Sequence, residues 1–219
     1  MKKRCYIAGA GEFDERVLPG ADDFVIAADG GYAALEMREI APDLIVGDFD
    51  SLASDLTKDV LKKSNVIRTP AEKDDTDMML AVSEALSQGY KDFIINGGLG
   101  GRLDHTLANI QTLVYLKKQG ARGTLVGRNE FITVIKNEEL KLIPDKKRNS
   151  TLSIFSAGCK AEGITLKGLK YPLTNATLKN DNPVGISNET TGKPASVSVS
   201  DGIIIIIYDG GYVKVHLVD

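Results

Sequence analysis

The chain has 219 residues, enough for one large core or two modest ones, and its 42% hydrophobic and 26% charged residues match a globular protein and exclude a disordered one. A formal net charge of -3 supplies no general basic field, so nucleic-acid binding driven by counterion release is excluded and any anionic ligand must be held locally. The longest aliphatic run, residues 203–207, falls far short of the about 20 residues that cross a bilayer, so no membrane partner is expected.

The opening residues are basic and then apolar, but Glu12, Asp14 and Glu15 cut the apolar stretch too short for a secretory signal, so it reads as a first strand. Cys5 and Cys159 have no paired spacing, which argues against a zinc site or a disulfide framework and fits a cytoplasmic setting. From residue 4 to about 128, short apolar runs alternate with amphipathic stretches, the pattern of parallel strands joined by crossover helices. Strands are predicted at 6–8, 24–28, 44–46, 66–68, 93–95 and 124–126. A helix is predicted over 75–88, with Met78, Val82, Ala85 and Leu86 on one face and Gly89 ending it. A second, over 105–118, places Leu107, Ile110 and Val114 toward the sheet. Residues 1–128 therefore read as an α/β domain.

Beyond Asn129 the sequence turns to β-branched alternation with no helical period, so residues 129–219 read as an all-β domain, most simply a small sandwich. Residues 196–200 alternate serine with valine, Asp201-Gly202 offers a two-residue turn, and 203–208 follows, which predicts a hairpin. The isoleucine run is expected to be buried on both faces, or on one with a partner chain over the other. The last stretch, 209–219, reads as an added strand.

Four clusters follow predicted strands and so fall at the carboxyl edge of the sheet, where open α/β folds bind ligands. Asp29-Gly30-Gly31 is the least specific. In the segment 47–51, alternation points Asp48 and Asp50 the same way and offers two hard oxygen ligands suited to magnesium; an exposed turn explains the same residues without a metal. The segment 73–77 opens a helix, where Asp74, Asp75 and Asp77 can complement the helix dipole, yet their crowding opposite Asp48 and Asp50 asks for a neutralising cation. The turn 97–101 lets backbone amides approach an anion and Arg102 adds a planar donor fork, although neither a P-loop nor a dinucleotide fingerprint is present. Asp104 is a further site candidate, whereas His105 reads as an ordinary first-turn residue.

In this order, AADGG (27–31), PDLIVGDFDS (42–51), KDDTDMMLA (73–81), GGLGGRLDHTLAN (97–109), GLKYPL (168–173) and GISNE (185–189) resemble the thiamine pyrophosphokinase family across nearly the whole chain. The resemblance implies a Rossmann-like catalytic domain, a β-sandwich thiamine-binding domain, and a homodimer with active sites between subunits. The activity it implies is transfer of a pyrophosphoryl group from ATP to thiamine with Mg2+. Carried onto this sequence, it implies an acidic catalytic site of Asp48, Asp50, Asp74, Asp77 and Asp104, with Asp48, Asp50 and Asp74 on the metal. Asp29, Gly30, Gly100, Gly101 and Arg102 would then bind the ATP phosphates, and Tyr171, Ser187 and Asn188 the thiamine. Tyr171 stands where some relatives carry a larger aromatic. The residues themselves leave open a pyrophosphokinase for another heterocyclic alcohol and a non-catalytic thiamine or nucleotide sensor.

Overall fold

The computed structural model describes residues 4–48, 65–68, 75–145 and 150–210, together with the backbone of 212–218. The chain divides into two compact units, Met1–Arg128 and Asn129–Asp219. Among the described residues no helix is long and apolar enough to cross a membrane.

In the first unit, β1 (Cys5–Ala8), β2 (Phe24–Ala28), β3 (Leu44–Gly47), β4 (Val66–Arg68), β5 (Asp92–Asn96) and β6 (Arg122–Val126) are joined through α1 (Gly31–Glu36), α2 (Asp77–Ser87) and α3 (Leu103–Lys118). All pairings are parallel, in the order β4-β3-β2-β1-β5-β6. All four residues of β1 are buried, as a central strand covered on both faces requires. The direction of strand addition reverses between β1 and β5.

Helix α2 begins where a side chain can replace a missing backbone partner. Thr76 is extended, and its hydroxyl accepts from the Met79 amide at 3.1 Å, so the helix starts two residues later than the sequence pattern suggests. Met78, Ala81, Val82 and Ala85 form its buried stripe. Helix α3 corrects the expected packing face. Asn109, Thr112, Leu113 and Leu116 are buried, while Leu107 is 56% exposed. An aliphatic count misplaces the stripe because two of its members are polar and locally satisfied: Asn109 donates to the Gly98 carbonyl at 2.7 Å and Thr112 to that of Ala108 at 3.0 Å.

The second unit contains only strands among its described elements: β7 (Glu130–Lys136), β8 (Glu139–Pro144), β9 (Thr151–Ser156), β10 (Lys160–Lys167), β11 (Leu173–Lys179), β12 (Asn188–Glu189), β13 (Ala195–Ser198), β14 (Ile203–Asp209) and β15 (Tyr212–Val218). They form two antiparallel layers, β12-β9-β14-β7 and β11-β10-β13-β8-β15. A shared core that includes Ile135, Leu142, Ile154, Ile164, Val197 and Ile206 joins them.

The expected hairpin between residues 196 and 208 does not form. β13 pairs with β8 and β10, whereas β14 pairs with β7 and β9, so the chain changes layers across Asp201-Gly202. Both turn residues are held for that corner: the Asp201 amide donates to Glu162 O at 3.1 Å and the Gly202 amide to Asn137 Oδ1 at 2.9 Å. The isoleucines alternate, with Ile204, Ile206 and Tyr208 buried and Ile203, Ile205 and Ile207 only half-buried. Ile206→Ala is expected to lower unfolding free energy by about 2–5 kcal/mol and Ile205→Ala by measurably less, checked by urea denaturation.

Candidate functional site

The carboxyl ends of β1 and β5 are joined backbone to backbone. The Gly9 amide donates to Asn96 O at 2.8 Å, Gly11 to Gly97 O at 2.7 Å and Glu12 to Leu99 O at 2.7 Å. A Cβ on Gly9 would lie 2.5 Å from the Gly97 oxygen, and one on Gly97 would lie 2.4 Å from that of Gly9. Only glycines allow this approach.

Asn96, fully buried at the end of β5, braces the segment that follows β1. Its Nδ2 lies 3.0 Å from the Tyr6 hydroxyl, 3.0 Å from Asp14 O and 2.9 Å from Val17 O, and its Oδ1 accepts from the Asp14 amide at 3.0 Å. The Asp14 carboxylate in turn pairs with Arg16 at 2.6 Å, which holds it below the ordinary carboxylate range. Sequence reasoning missed this brace because an asparagine at a strand end gives no sign of which backbone groups will surround it.

The same edge carries an acidic trio. Asp29 follows β2 directly, Asp48 follows β3, and Asp77 opens α2. One carboxylate oxygen from each lies within 4.8 Å of the other two, and all three residues are half-buried. Hydrogen-bonded strands run about 4.8 Å apart, so positions just past β2 and β3 are neighbours by construction. Like charges about 4 Å apart repel by roughly 1 kcal/mol in bulk water and about 4 kcal/mol at the effective dielectric of a protein surface. Oxygen ligands on one small divalent cation sit no more than about 4.2 Å apart, so this donor set fits a hard cation after small side-chain rotations.

Three residues expected at the site thus converge, in a different grouping from the one anticipated. Asp48 was expected on the metal, Asp77 among the acidic residues and Asp29 with phosphate; the fold places Asp29 beside the other two carboxylates. Its position one residue past a strand adjacent to β3 is the signal that could have found it. Asp50 and Asp74 lie outside the described residues. Gly30 is the N-cap of α1.

Arg102 and Asp104 form a separate exposed pair. The guanidinium Nε lies 3.1 Å from Asp104 Oδ1 and its terminal nitrogen 2.5 Å from Oδ2, which holds the Asp104 carboxyl below its usual range. Exposed pairs contribute little, about 0–1 kcal/mol, so the arginine fork can exchange partners at small cost. Beside it, Gly100 and Gly101 have φ of 81° and 68°, and a Cβ on Gly101 would meet nothing within 4 Å.

In the second unit, Tyr171 and Asn188 are brought together. Asn188 Oδ1 accepts from the Tyr171 amide at 3.0 Å and from the Glu189 amide at 3.0 Å, while its Nδ2 donates to Tyr171 O at 2.7 Å. Asn188 is 3% exposed, so its amide holds backbone, whereas Tyr171 is 56% exposed, with Lys170 Nζ 5.3 Å from the centre of its ring. Ser187 adopts φ of 54° and its amide donates to Ser153 Oγ at 3.0 Å.

Residues 17–125 match the family model described as thiamin pyrophosphokinase, catalytic domain, and residues 138–204 match that of the thiamin pyrophosphokinase vitamin B1 binding domain. The chain is 31% identical over 183 residues to the thiamine pyrophosphokinase of Bacillus subtilis (strain 168), covering 83% of this chain and 85% of that one. It is 26% identical over 192 residues to thiamin pyrophosphokinase 1 of Caenorhabditis elegans, covering 83% and 77%. The crystal structure of the Bacillus subtilis thiamine pyrophosphokinase superposes with a TM-score of 0.83 at 28% identity, over 94% of this chain and 99% of that one. A thiamin pyrophosphokinase family protein from Enterococcus faecalis superposes with a TM-score of 0.81 at 30% identity, over 94% and 98%.

The brace at β5 carries a pH signature. Burial pushes the Tyr6 hydroxyl up to about 12, partly offset by its hydrogen bond with Asn96. The folded state therefore keeps a proton that an unfolded tyrosine releases near pH 10, so this stabilisation is whole below about pH 10 and is lost as pH rises through about 12. Denaturant unfolding followed across that window is expected to show falling stability, with a shallower fall in Tyr6→Phe.

Proposed function

The chain belongs to the thiamin pyrophosphokinase family, and from that premise we propose how its residues divide the work of making thiamine diphosphate from thiamine and ATP. The hydroxyl oxygen of thiamine bonds to the β-phosphorus of ATP, the bond from that phosphorus to the α–β bridging oxygen breaks, and AMP leaves with the electron pair. The reaction joins a neutral alcohol to a highly charged anion. Charge neutralisation and in-line positioning are therefore what the protein must supply.

The observation that carries the assignment is the trio Asp29, Asp48 and Asp77 at the carboxyl edge of the parallel sheet. These residues, with Asp50 and Asp74 assigned on the family resemblance, would hold Mg2+, which when bound offsets phosphate charge and polarises phosphoryl oxygens. The turn 97–101 presents backbone to the triphosphate, and Arg102 exchanges Asp104 for phosphate oxygens. One aspartate of the acidic set accepts the hydroxyl proton. On the other substrate, Tyr171 offers a π face to the cationic thiazolium and Ser187 offers a hydrogen-bonding hydroxyl. Asn188 supports that site by fixing the Tyr171 backbone.

In this reading residues 1–128 act as a Rossmann-like nucleotide domain and residues 129–219 as the thiamine-binding domain. Active sites would lie between the subunits of a cytoplasmic homodimer.

AMP and thiamine diphosphate are expected to form from ATP and Mg2+ only when thiamine is present. Chelating the metal should abolish both products, and Asp48→Asn should slow them by about 100-fold or more. AMP formed instead with a different heterocyclic alcohol, or tight thiamine binding with no AMP, would overturn the assignment.

A further inference from the structure

The turn after β5 has an unusual distribution of hydrogen bonds. Three consecutive carbonyls are each tied by a bond of 2.7 Å: Gly97 O to the Gly11 amide, Gly98 O to Asn109 Nδ2 and Leu99 O to the Glu12 amide. Carbonyl and amide of one planar peptide point in opposite directions. Holding the Gly97 and Leu99 carbonyls toward the loop after β1 therefore turns the Gly98 and Gly100 amides away from that loop, and the Gly98 tie fixes the peptide between them.

Two of the three ties are backbone to backbone and follow from the pairing of the loops. The middle one depends on a side chain, which comes from the second turn of α3. Asn109 is only 9% exposed, although the same helix leaves Leu103 81% and Leu107 56% exposed. Asn109 is thus the first buried residue of the helix, and its amide is spent on the turn that precedes the helix.

We propose that Asn109 is a positioning residue, setting the 97–101 turn in the conformation that receives the phosphates of ATP. It acts through the Gly98 carbonyl, without touching nucleotide. The proposal rests on the reading of this turn as the phosphate cradle. It predicts a selective defect on the nucleotide side, because the Asn109 amide is bonded to the Gly98 carbonyl of this turn.

The test uses the full chain with Asn109→Asp, which keeps the shape but opposes a carboxylate oxygen to the Gly98 carbonyl, and Asn109→Ala, which removes the tie. ATP with Mg2+ and, separately, thiamine are titrated calorimetrically against each folded variant, and steady-state constants are measured for both substrates. ATP affinity is expected to weaken by about tenfold or more in both variants, with a matching rise in KM for ATP and thiamine affinity within about twofold of the parent. Unchanged ATP affinity in either folded variant overturns the proposal. So does a parallel loss of ATP and thiamine affinity with a lowered thermal midpoint, which marks a general structural role. The binding titrations stand apart from thiamine-dependent AMP formation by the parent protein, so failure of the assigned reaction is distinguished from failure of the positioning role.

Discussion

Parallel pairing is the constraint from which the first unit's chemistry follows. Each connection between parallel strands must return the length of the sheet, so every strand ends at the same edge. The residues after β2, β3 and β5 therefore share that edge however far apart they lie in the chain. Asp29 and Asp48 become neighbours because β2 and β3 are hydrogen-bonded, and Asp77 joins them because α2 starts the return path after β4. Negative charge gathers there at a cost that a bound cation can offset, which is why this edge suits a reaction of polyphosphates.

Rigidity at that edge comes from backbone more than from side-chain bulk. The loops after β1 and β5 interlock through glycines that leave no room for a Cβ, and Asn96 satisfies several groups around Tyr6 and Asp14 from one buried amide. A polar network this fully satisfied fixes one arrangement, because any slip would leave a buried donor or acceptor without a partner. The Arg102–Asp104 pair is the opposite case, exposed and weakly held.

The second unit achieves order by a different route. Its strands divide into two layers around one apolar core, and β14 sits between β7 and β9 as an inner strand. Asn188 repeats on a small scale what strand pairing does on a large one, offering an acceptor and a donor to the two backbone groups of Tyr171. The tyrosine is left exposed on a fixed backbone.

Much of this was legible in the sequence because it depends on local chemistry. Alternation and apolar runs reveal strands wherever a buried face must be apolar, and each strand predicted in the first unit falls within one of its described strands. The ordered motifs identified the family and the chemistry because residues just past strand ends project from the backbone whatever surrounds them. What local reading could not supply were relations between segments distant in the chain. The Asp201-Gly202 pair has the composition of a hairpin turn, yet its amides are held by Glu162 and Asn137, and the strands beside it enter different layers. The buried stripe of α3 includes Asn109 because the Gly98 carbonyl waits opposite it, which no helical period reports. Asp29 belongs with Asp48 and Asp77 only because of strand order. Sequence alone located the strands of the first unit, two of its helices and the chemical groups that follow them; tertiary structure decided which of those groups meet, because a contact between distant segments depends on sheet order and on the partners left to buried polar atoms.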